Sequence, residues 1–534
     1  MQTDLATDAS EKEISTEIRD EELPEEERKE IPQENEEISQ EEAKEPRDDR
    51  GAVGVIYGNV GTTHFNMRVV DTLQRMEYVM VEHDVNGWVL GQVMDVERKT
   101  NLSLDKAQMV SEGQNVDIEE KVTAKVQVIG YRDYRGLLQV PRTPYKAGDP
   151  VYKATDSLIR EVVGLRENTE TGAYVGLLMG HDIKVEVDIN EMVQKHVSIL
   201  AKTGGGKSFL CGALVEELMK HDVTVLVFDP HGEYGSMREK GSQMSTERDF
   251  GVKTRGYKNK ITEFATDTSI NKGAKPLNFT LSNLEARDLL SLTNIKKVRS
   301  YLTSLRKAIE TLRGAKKDYS LKDIIHVLEA EEDAQNAVLI NELEYLNEVN
   351  IFASKGTKID ELVVKGKTTV INMKGTPPDI QELIVSRICS AIFELRKLEK
   401  VPPMMLVVEE AHNYCPQQGT VSSSKIFRTI ASEGRKFGLG LTIITQRAAK
   451  VDKNVLSQCN TQMILKVTNP NDLKAITSSV EGLTSGMADE IQRLPIGTSL
   501  VMGGNIQMPL LVEVRPRESK HGGDSVEVVG SKRV

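Results

Sequence analysis

The sequence predicts an α/β protein whose largest part is a parallel β-sheet covered by helices on both faces. Apolar runs typical of buried strands alternate with helical patterns through most of the chain after residue 195, the pattern of such a sheet. The first run, at 196–200, leads into a glycine-rich turn and a helical pattern, the order of elements in a phosphate-binding loop. A small β-barrel and a disordered acidic tail are predicted to precede this sheet.

The tail is residues 1–50, which hold 20 acidic and 7 basic residues and so carry a charge of −13, against −12 for the whole chain. Because the remainder is near neutral, an overall pI of about 5.5 does not exclude nucleic-acid binding. The segment has few apolar residues to offset chain entropy, which predicts disorder. A solubilising tail and an acidic arm that binds a partner or mimics DNA are both compatible with this composition.

Composition also limits the class of protein. A chain of 534 residues suggests about three domains. The four cysteines are scattered without metal-ligand spacing, which is typical of reduced thiols in a cytosolic protein. The chain has no apolar run of about 18 residues and starts with an acidic segment rather than a signal peptide. We therefore expect a soluble, cytoplasmic protein with no membrane span.

Changes in composition and pattern divide the chain into six predicted segments. Between 53 and 140, short strand-like runs separated by turn residues predict the barrel, with a role in docking or assembly. The six segments are the acidic tail (1–50), the barrel (51–150), a linker ribbon with the first part of the core (151–235), a largely helical insert of about four helices (236–365), the second part of the core (366–514) and a C-terminal segment (515–534).

The phosphate-binding loop is the stretch Ala-Lys-Thr-Gly-Gly-Gly-Lys-Ser at 201–208. Glycines let the backbone wrap closely around phosphate oxygens, so that N–H groups and a helix N-terminus face the anion. Lys207 is expected to reach the β- and γ-phosphates of ATP, and Ser208 to hold Mg²⁺. Ala201 replaces the usual first glycine, and a chance glycine-rich turn is the alternative interpretation. The predicted ATP contacts are Thr203, Gly204, Gly205, Gly206, Lys207 and Ser208.

A second chemical element is the apolar run 404–408, which is followed by Glu409 and Glu410. An ATPase needs one carboxylate near the metal and another to activate water, both at the carboxyl end of a buried strand. Glu409 would support Mg²⁺ and Glu410 would be the general base. A further strand is expected between this one and the strand of the phosphate loop. The alternative is a solvated glutamate pair at a strand end.

Gln446 ends the next predicted strand, where a neutral amide can sense the γ-phosphate or position water. A phosphoryl transition state is stabilised by an arginine that often comes from a neighbouring subunit, and Arg435 is the candidate. Lys436, Arg428 and Arg447 compete with it for this role. A residue that acts in trans requires an oligomer, and rings close through head-to-tail contacts.

Three further polar residues, Asp229, His231 and Glu233, follow the buried run at 223–228. They lie at the carboxyl edge expected of an α/β sheet, where ligands bind. Both a role in the site and a polar turn remain open for them.

Two basic loops are candidate DNA contacts that would grip phosphates without reading sequence. An exposed charged loop is the alternative for both of them. Their residues are Arg255, Lys258 and Lys260 in the first loop and Lys450 and Lys453 in the second.

Five motifs together resemble the archaeal HerA DNA translocases of the HerA–FtsK superfamily, and the resemblance covers about 51–534. The motifs are the phosphate loop at 201–208, Phe-Asp-Pro-His-Gly-Glu-Tyr at 228–234, Val-Val-Glu-Glu-Ala-His-Asn-Tyr at 407–414, Glu-Gly-Arg-Lys-Phe-Gly at 433–438 and Thr-Gln-Arg at 445–447. The resemblance implies a RecA-like P-loop motor with a helical insert, a homo-hexameric ring and a C-terminal brace over the neighbouring subunit.

The resemblance also implies partners and residue roles. It implies double-stranded DNA in the pore and a NurA-like nuclease docked on the barrel face. Lys195 resembles a basic position that contacts a neighbour's nucleotide, and Lys436 is a second candidate for such a contact. The residues that match motor positions of the family are Lys207, Ser208, Glu409, Glu410, Gln446 and Arg435.

We therefore predict an ATP-driven, hexameric double-stranded DNA translocase or helicase that acts with a nuclease in DNA end resection and repair, in the cytoplasm at the nucleoid. One alternative is a ring ATPase of the same superfamily that moves conjugative DNA or protein at a membrane. Another is a nucleotide-gated assembly scaffold. Stimulation of ATP hydrolysis by double-stranded DNA separates the motor from the scaffold.

Overall fold

The structure is a computed structural model that describes residues 51–523 with short gaps. The gaps are at 166, 168–169, 243–248, 282–283, 294, 296–297, 316–317, 332–335, 349–350, 354, 481–482 and 484. The predicted acidic tail and residues 524–534 of the C-terminal segment lie outside the described residues.

The first unit of structure is a closed, six-stranded antiparallel β-barrel. Its region contains β1 (Gly54–Tyr57), β2 (His64–Val69), β3 (Tyr78–His83), β4 (Gly87–Thr100), α1 (Leu104–Ser111), β5 (Glu120–Arg132), β6 (Leu138–Gln139) and β7 (Pro150–Lys153). The pairing runs β1–β7–β3–β4–β5–β2 and returns to β1, which leaves no free edge among these strands.

The last strand of the barrel differs from the prediction. The last of the strand-like runs between 53 and 140, at 136–140, forms only the two residues of β6, which pair with β5. The barrel is closed instead by β7, which pairs with both β1 and β3. Val151 at the centre of this junction is fully buried, so burial of a distant strand decides the closure.

A second sheet of twelve strands forms the core of the protein. The strands are β8 (Gly172–Leu178), β9 (Lys184–Asp188), β10 (Val197–Leu200), β11 (Thr224–Asp229), β12 (Ile261–Ala265), β13 (Lys275–Pro276), β14 (Thr368–Asn372), β15 (Met404–Val408), β16 (Leu439–Thr445), β17 (Thr461–Ile464), β18 (Thr498–Gly503) and β19 (Ile506–Val514). Their spatial order is β13-β12-β14-β11-β15-β16-β10-β17-β18-β19-β8-β9.

The sheet is parallel from β13 to β17 and antiparallel from β17 to β9. The prediction of a wholly parallel sheet is therefore wrong on one side. The pairs β18–β19 and β8–β9 are joined by short turns, which only antiparallel neighbours permit. The strands of the parallel part are buried along their whole length in β10, β11, β14, β15 and β16.

Helices cover this sheet and form the insert. They are α2 (Asp156–Val163), α3 (Ile189–Lys195), α4 (Lys207–Lys220), α5 (Ala286–Ser291), α6 (Val298–Ala315), α7 (Leu321–Ala330), α8 (Ala337–Glu348), α9 (Ile359–Leu362), α10 (Pro378–Lys397), α11 (Ser424–Glu433), α12 (Lys453–Leu456), α13 (Pro470–Ser479) and α14 (Ser485–Arg493). The four helices α5 to α8 occupy the region where the sequence predicts about four. The region 236–365 also contributes β12 and β13 to the sheet, where β12 pairs with β14.

Helix α4 follows the phosphate loop, where the sequence predicts a helical pattern. Ten of its fourteen residues are buried, including Glu216 and Glu217. The reason is residues 515–523, here called the C-terminal strap, which cover the outer side of α4. Arg515 of the strap forms ion pairs with both glutamates, at 3.0 and 2.7 Å. Because the helix is covered on both sides, its polar residues do not indicate a face exposed to solvent.

Across the described ranges of the chain, the structure contains no helix that is both long enough and apolar enough to span a membrane.

Candidate active site

The loop between β10 and α4 has the backbone geometry of a phosphate cradle. Gly204 and Gly206 have φ angles of 70° and 93°, in the left-handed region that favours glycine. A Cβ at Gly205 would lie 2.9 Å from the carbonyl oxygen of Lys202. Ala201 is buried and is not among the residues with positive φ. Its methyl group therefore does not strain the turn, and the missing first glycine leaves the cradle intact.

Lys207 begins α4 and points to the end of β15. Its Nζ lies 3.0 Å from Oε1 of Glu410. Burial opposes the charge of this ammonium group, but the carboxylates of Glu409 and Glu410 together raise the pKa of Lys207. The lysine therefore remains charged at the bottom of the cradle, where a phosphate oxygen could replace the carboxylate as its partner. Ser208 follows in the first turn of α4.

Glu409 is fully buried at the carboxyl end of β15. Its Oε1 accepts a hydrogen bond of 2.8 Å from the hydroxyl of Tyr234, whereas its Oε2 has no hydrogen-bond partner. Burial raises the pKa of Glu409 to about 7, against the lowering effect of Lys207. A buried carboxylate oxygen without a partner is costly, so this atom fits a position that a ligand or cation would occupy.

Glu410 has a φ angle of 49°, which costs a non-glycine residue free energy and occurs mainly at functional sites. Its Oε1 pairs with Lys207, and its Oε2 has no hydrogen bond. The Nδ1 of His412 lies 3.3 Å from that Oε2 and 3.0 Å from Oγ1 of Thr445. Burial lowers the pKa of His412, although Glu410 opposes this. Glu410 thus combines an open oxygen with a constrained position, as a general base needs.

The loop after β11 contains the three polar residues whose role the sequence left open. Asp229 is buried and accepts hydrogen bonds from the backbone N–H groups of Gly232 and Tyr234, at 2.8 and 3.0 Å. Burial raises the pKa of Asp229 to about 6. These bonds give Asp229 a role in holding the loop, while His231 is exposed.

Glu233 lies on the same loop and belongs to the site. Its Oε2 is buried without a hydrogen bond, and its charge acts on both Lys207 and Glu409. Sequence analysis did not single out Tyr234, which bonds to Glu409. Its position in the motif at 228–234, directly after a buried strand, is the signal that could have identified it.

Gln446 lies at the end of β16, which separates β10 from β15 in the sheet, as expected. Its side-chain oxygen accepts a hydrogen bond from the hydroxyl of Thr203 in the phosphate loop. The structure therefore brings together the cradle, the glutamate pair and the predicted sensor, although they are far apart in the sequence. No part of this arrangement needs another chain.

The residues present fit a magnesium–nucleotide ligand. Buried carboxylate oxygens without partners and a serine hydroxyl are hard oxygen donors, the kind that Mg²⁺ prefers. Among the described residues, no group of three or more acidic, histidine or cysteine side chains could hold a metal ion alone. A Mg²⁺ ion at this site would thus depend on phosphate oxygens and water as well as on Ser208 and Glu409.

Three other predicted cations lie at the opposite edge of the sheet. Lys195 ends α3 just before β10, and Arg435 and Lys436 lie shortly before β16. All three line a cleft of about 720 Å³. The seven residues of β16 place Arg435 and Gln446 about 20 Å apart along the strand. The cations therefore cannot reach phosphates in the cradle of their own chain.

The structure also separates the competitors for the arginine role. Arg428 forms an ion pair of 2.5 Å with buried Asp452. Arg447 follows Gln446 and lies at the carboxyl edge, on the side of its own cradle. Arg435 and Lys436 are exposed at the amino edge. Of the four cations, these two are exposed and lie away from the cradle of their own chain.

The first basic loop is largely engaged within the chain. Arg255 pairs with Glu518 of the strap at 2.7 Å, and its guanidinium lies 4.6 Å from the ring centre of Tyr257. Lys260 forms an ion pair with Asp222. Lys258 is exposed.

The second basic loop lies elsewhere. Lys450 and Lys453 follow β16 at the carboxyl edge and are exposed, whereas Lys260 precedes β12 at the amino edge. The structure therefore does not bring the two loops together. The loop that contains Lys450 lies next to Gln446.

Fold and site together define a P-loop ATPase with a RecA-like core. Residues 173–392 match the family model described as the central domain of helicase HerA. The DNA double-strand break repair helicase HerA of Sulfurisphaera tokodaii is 27% identical over 509 residues, which cover 89% of this chain and 95% of that protein. A probable helicase of Methanocaldococcus jannaschii is 28% identical over 439 residues, covering 76% of this chain and 79% of that protein.

A solved structure supports the fold. VirB4 of Thermoanaerobacter pseudethanolicus aligns with a TM-score of 0.51 at 16% identity, over 65% of this chain and 97% of that one. The resemblance to HerA that the motifs predicted is confirmed, and with it the predicted class, an ATP hydrolase of the helicase type.

Proposed function

We propose that the protein is a translocase or helicase that uses ATP to move along double-stranded DNA as a homo-hexameric ring, and that it acts in DNA repair. One observation supports this proposal: the predicted site residues lie at two opposite edges of one sheet. The cradle, glutamates and Gln446 are at the carboxyl edge, and Arg435, Lys436 and Lys195 are about 20 Å away at the amino edge. Head-to-tail contact between copies would join the two halves, and such contacts close into rings.

Hydrolysis would begin with ATP in the cradle. Lys207, which now pairs with Glu410 at 3.0 Å, would turn to the β- and γ-phosphates. Glu410, freed from this pair, would accept a proton from the attacking water. Ser208 and Glu409 would hold Mg²⁺, which neutralises phosphate charge when it is bound. The bond between Lys207 and Glu410 thus keeps the base occupied until a phosphate arrives.

Gln446 would link the nucleotide to DNA. It contacts Thr203 of the cradle and directly precedes the exposed loop that holds Lys450 and Lys453. A change at the γ-phosphate could therefore move that loop through one strand end. We favour this loop as the DNA contact over the one at Arg255, because Arg255 and Lys260 already have carboxylate partners.

The neighbouring copy would supply the remaining positive charge. Arg435 is the proposed finger, with Lys436 and Lys195 beside it in the cleft. A loose phosphoryl transition state spreads charge over its oxygens, and an arginine in trans increases the rate by about 10³–10⁵. The same resemblance to HerA motivates a NurA-like nuclease on the barrel, a role in DNA end resection and action in the cytoplasm at the nucleoid.

Stimulation of ATP hydrolysis by double-stranded DNA is the first test. We expect DNA to stimulate hydrolysis by the wild type. The Glu410→Gln variant should still bind ATP, but its turnover should be reduced by about 10²–10⁴-fold. Lys450→Ala combined with Lys453→Ala should remove the stimulation and leave basal hydrolysis intact. Lys258→Ala, an exposed lysine on the other loop, is the matched control. If DNA does not change the rate of ATP hydrolysis and does not bind at low salt, the motor hypothesis is wrong and an assembly scaffold is favoured.

The finger is tested by mixing subunits. Arg435→Ala and Lys207→Ala variants are each expected to be inactive alone. If Arg435 acts in trans, some interfaces in mixed rings carry both intact residues, and activity returns. An absence of recovery at every ratio, although mixed rings form, would argue against a role in trans.

A further inference from the structure

Tyr234 is a buried tyrosine at the point where three elements of the site meet. Its side chain is 1% exposed. Its hydroxyl donates to Oε1 of Glu409 on β15, at 2.8 Å, and its backbone N–H donates to Oδ2 of Asp229 on β11, at 3.0 Å. Cys211 of α4 belongs to the same buried cluster as Tyr234. The tyrosine therefore connects Glu409 at the end of β15 to the loop that follows β11, and it packs in the core with the phosphate-loop helix α4.

The hydroxyl of Tyr234 bonds to only one of the two carboxylate oxygens of Glu409. The two oxygens of a carboxylate are chemically equivalent, and rotation of the group exchanges their positions. Oε1 is occupied by Tyr234, and Oε2 is buried with no partner. A hydrogen bond to one oxygen fixes the plane of the carboxylate and leaves the other oxygen free to ligate a metal ion. Residues that do not themselves touch the metal orient its ligands in this way.

We propose that Tyr234 is a positioning residue that holds the carboxylate of Glu409 so that its free oxygen faces the Mg²⁺ of the bound nucleotide. The proposal rests on the function proposed above, since it needs a magnesium site at Glu409. It adds a residue outside the glutamate pair and the phosphate loop. Loss of such a partner costs about 10–100-fold in metal affinity or activity.

A tyrosine that only fills the core would behave differently. In that case, removal of its hydroxyl would change stability but not the magnesium requirement of nucleotide binding. Asp229 anchors the backbone of Tyr234 rather than its ring, so a phenylalanine at this position keeps the loop bonds. Tyr234→Phe therefore separates the two roles.

The experiment measures ADP binding to the full chain by displacement of a fluorescent nucleotide, with and without Mg²⁺ and in the absence of DNA. In Tyr234→Phe, we expect the Mg²⁺ concentration for half-maximal enhancement of ADP binding to rise by about 10-fold or more. ADP affinity without metal should stay unchanged. The thermal unfolding midpoint, measured on the same samples, shows that the variant is folded.

Tyr257→Phe is the matched control. Tyr257 is also buried, and its hydroxyl also donates to a glutamate oxygen, Oε2 of Glu518, at 2.6 Å. That glutamate belongs to the strap and not to the carboxyl edge of the sheet. The control loses the same chemical group from the same kind of bond, and its magnesium requirement should equal that of the wild type.

A double-mutant comparison tests whether Tyr234 acts through Glu409. Glu409→Gln alone should raise the magnesium requirement, and addition of Tyr234→Phe should raise it little further. Independent effects of the two substitutions would show that the tyrosine does not act through the glutamate, and would overturn the proposal.

The two proposals fail in distinguishable ways. Magnesium-dependent ADP binding that Tyr234→Phe leaves unchanged would overturn the positioning role alone. Wild-type binding that does not depend on Mg²⁺ would overturn the metal site itself, and the positioning role with it.

Discussion

Two groups of buried glutamates, one at the active site and one between the phosphate-loop helix and the strap, differ in how their oxygens are paired. At the active site, Glu409 and Glu410 each keep one oxygen buried without a hydrogen bond, as does Glu233 beside them. Under the strap, Glu216 accepts bonds on both oxygens, from Arg515 at 3.0 Å and from the backbone of Ser519 at 2.9 Å.

The pKa values of two carboxyl groups, Glu409 at the active site and Glu518 of the strap, are shifted in opposite directions. Burial raises the pKa of Glu409 to about 7 and nearby carboxylates add to the effect, whereas Lys207 and the hydrogen bond from Tyr234 oppose it. Burial acts in the same direction on Glu518 of the strap. There, hydrogen bonds from Lys220 and Tyr257 outweigh it, and the pKa of Glu518 is lowered. The direction of the pKa shift in these two buried carboxyl groups therefore depends on the groups that contact them more than on burial.

This comparison distinguishes structural from functional carboxylates. Native proteins pair nearly all buried polar atoms, and the strap does so for its glutamates. At the active site, by contrast, three buried carboxylate oxygens without hydrogen-bond partners lie together next to the phosphate cradle. Perturbed carboxylates in such a position are candidates for function. Substitutions in the two groups should consequently have opposite effects on stability.

The largest expected effect is at the strap. Arg515 is fully buried and pairs with Glu216 and Glu217. Arg515→Met removes the fully buried cation that these two carboxylates share and leaves only Lys220 beside Glu217 and Arg517 beside Glu216. Breaking such a buried pair costs about 3–5 kcal/mol. We expect a clear fall in the thermal unfolding midpoint. A change below about 1 kcal/mol, the scale of a surface pair, would show that the strap does not hold α4.

A smaller effect of opposite sign is expected for Glu409→Gln in the metal-free protein. The folded-state pKa of Glu409 is about 7, above the reference value of 4.5. Its stabilising contribution is therefore fully present below about pH 4.5 and is lost as the pH rises through 7. At pH 8 the charged carboxylate costs on the order of 3 kcal/mol, which glutamine removes.

The measurement compares unfolding midpoints of wild type and Glu409→Gln at pH 5 and pH 8 without Mg²⁺. The variant should exceed the wild type at pH 8 and resemble it at pH 5. Other titrating groups are common to both proteins and cancel in the difference. A variant less stable than the wild type at pH 8 would mean that Glu409 is already well paired, and the comparison between the two groups would fail.

The smallest effect is expected at the exposed end of the strap. Lys520 pairs with Glu239 at 2.6 Å, but both side chains are more than half exposed. Lys520→Ala should change stability by less than about 1 kcal/mol, with an unfolding midpoint close to that of the wild type. A loss as large as that of Arg515→Met would show that the outer pair, and not the buried one, fastens the strap.

Much of the catalytic site could be predicted from the sequence, because its parts are local patterns. The glycines at 204–206 reflect backbone conformations that other residues rarely adopt. Glu409 and Glu410 follow a strand that a run of five apolar residues predicts. Such signals need no information about distant segments. The roles of Arg435 and of the basic loops remain predictions.

Only the tertiary structure decided which distant residues meet. Arg515 bonds to Glu216 across 299 positions, and the Tyr234 hydroxyl reaches Glu409 across 175. Neither pair forms a local pattern, and the same holds for closure of the barrel by β7. Local sequence patterns predicted the buried parallel strands, the cradle and the glutamate pair, because backbone geometry and burial act over a few residues. The structure decided which carboxylates are paired and which stay open, because long-range packing brings their partners together.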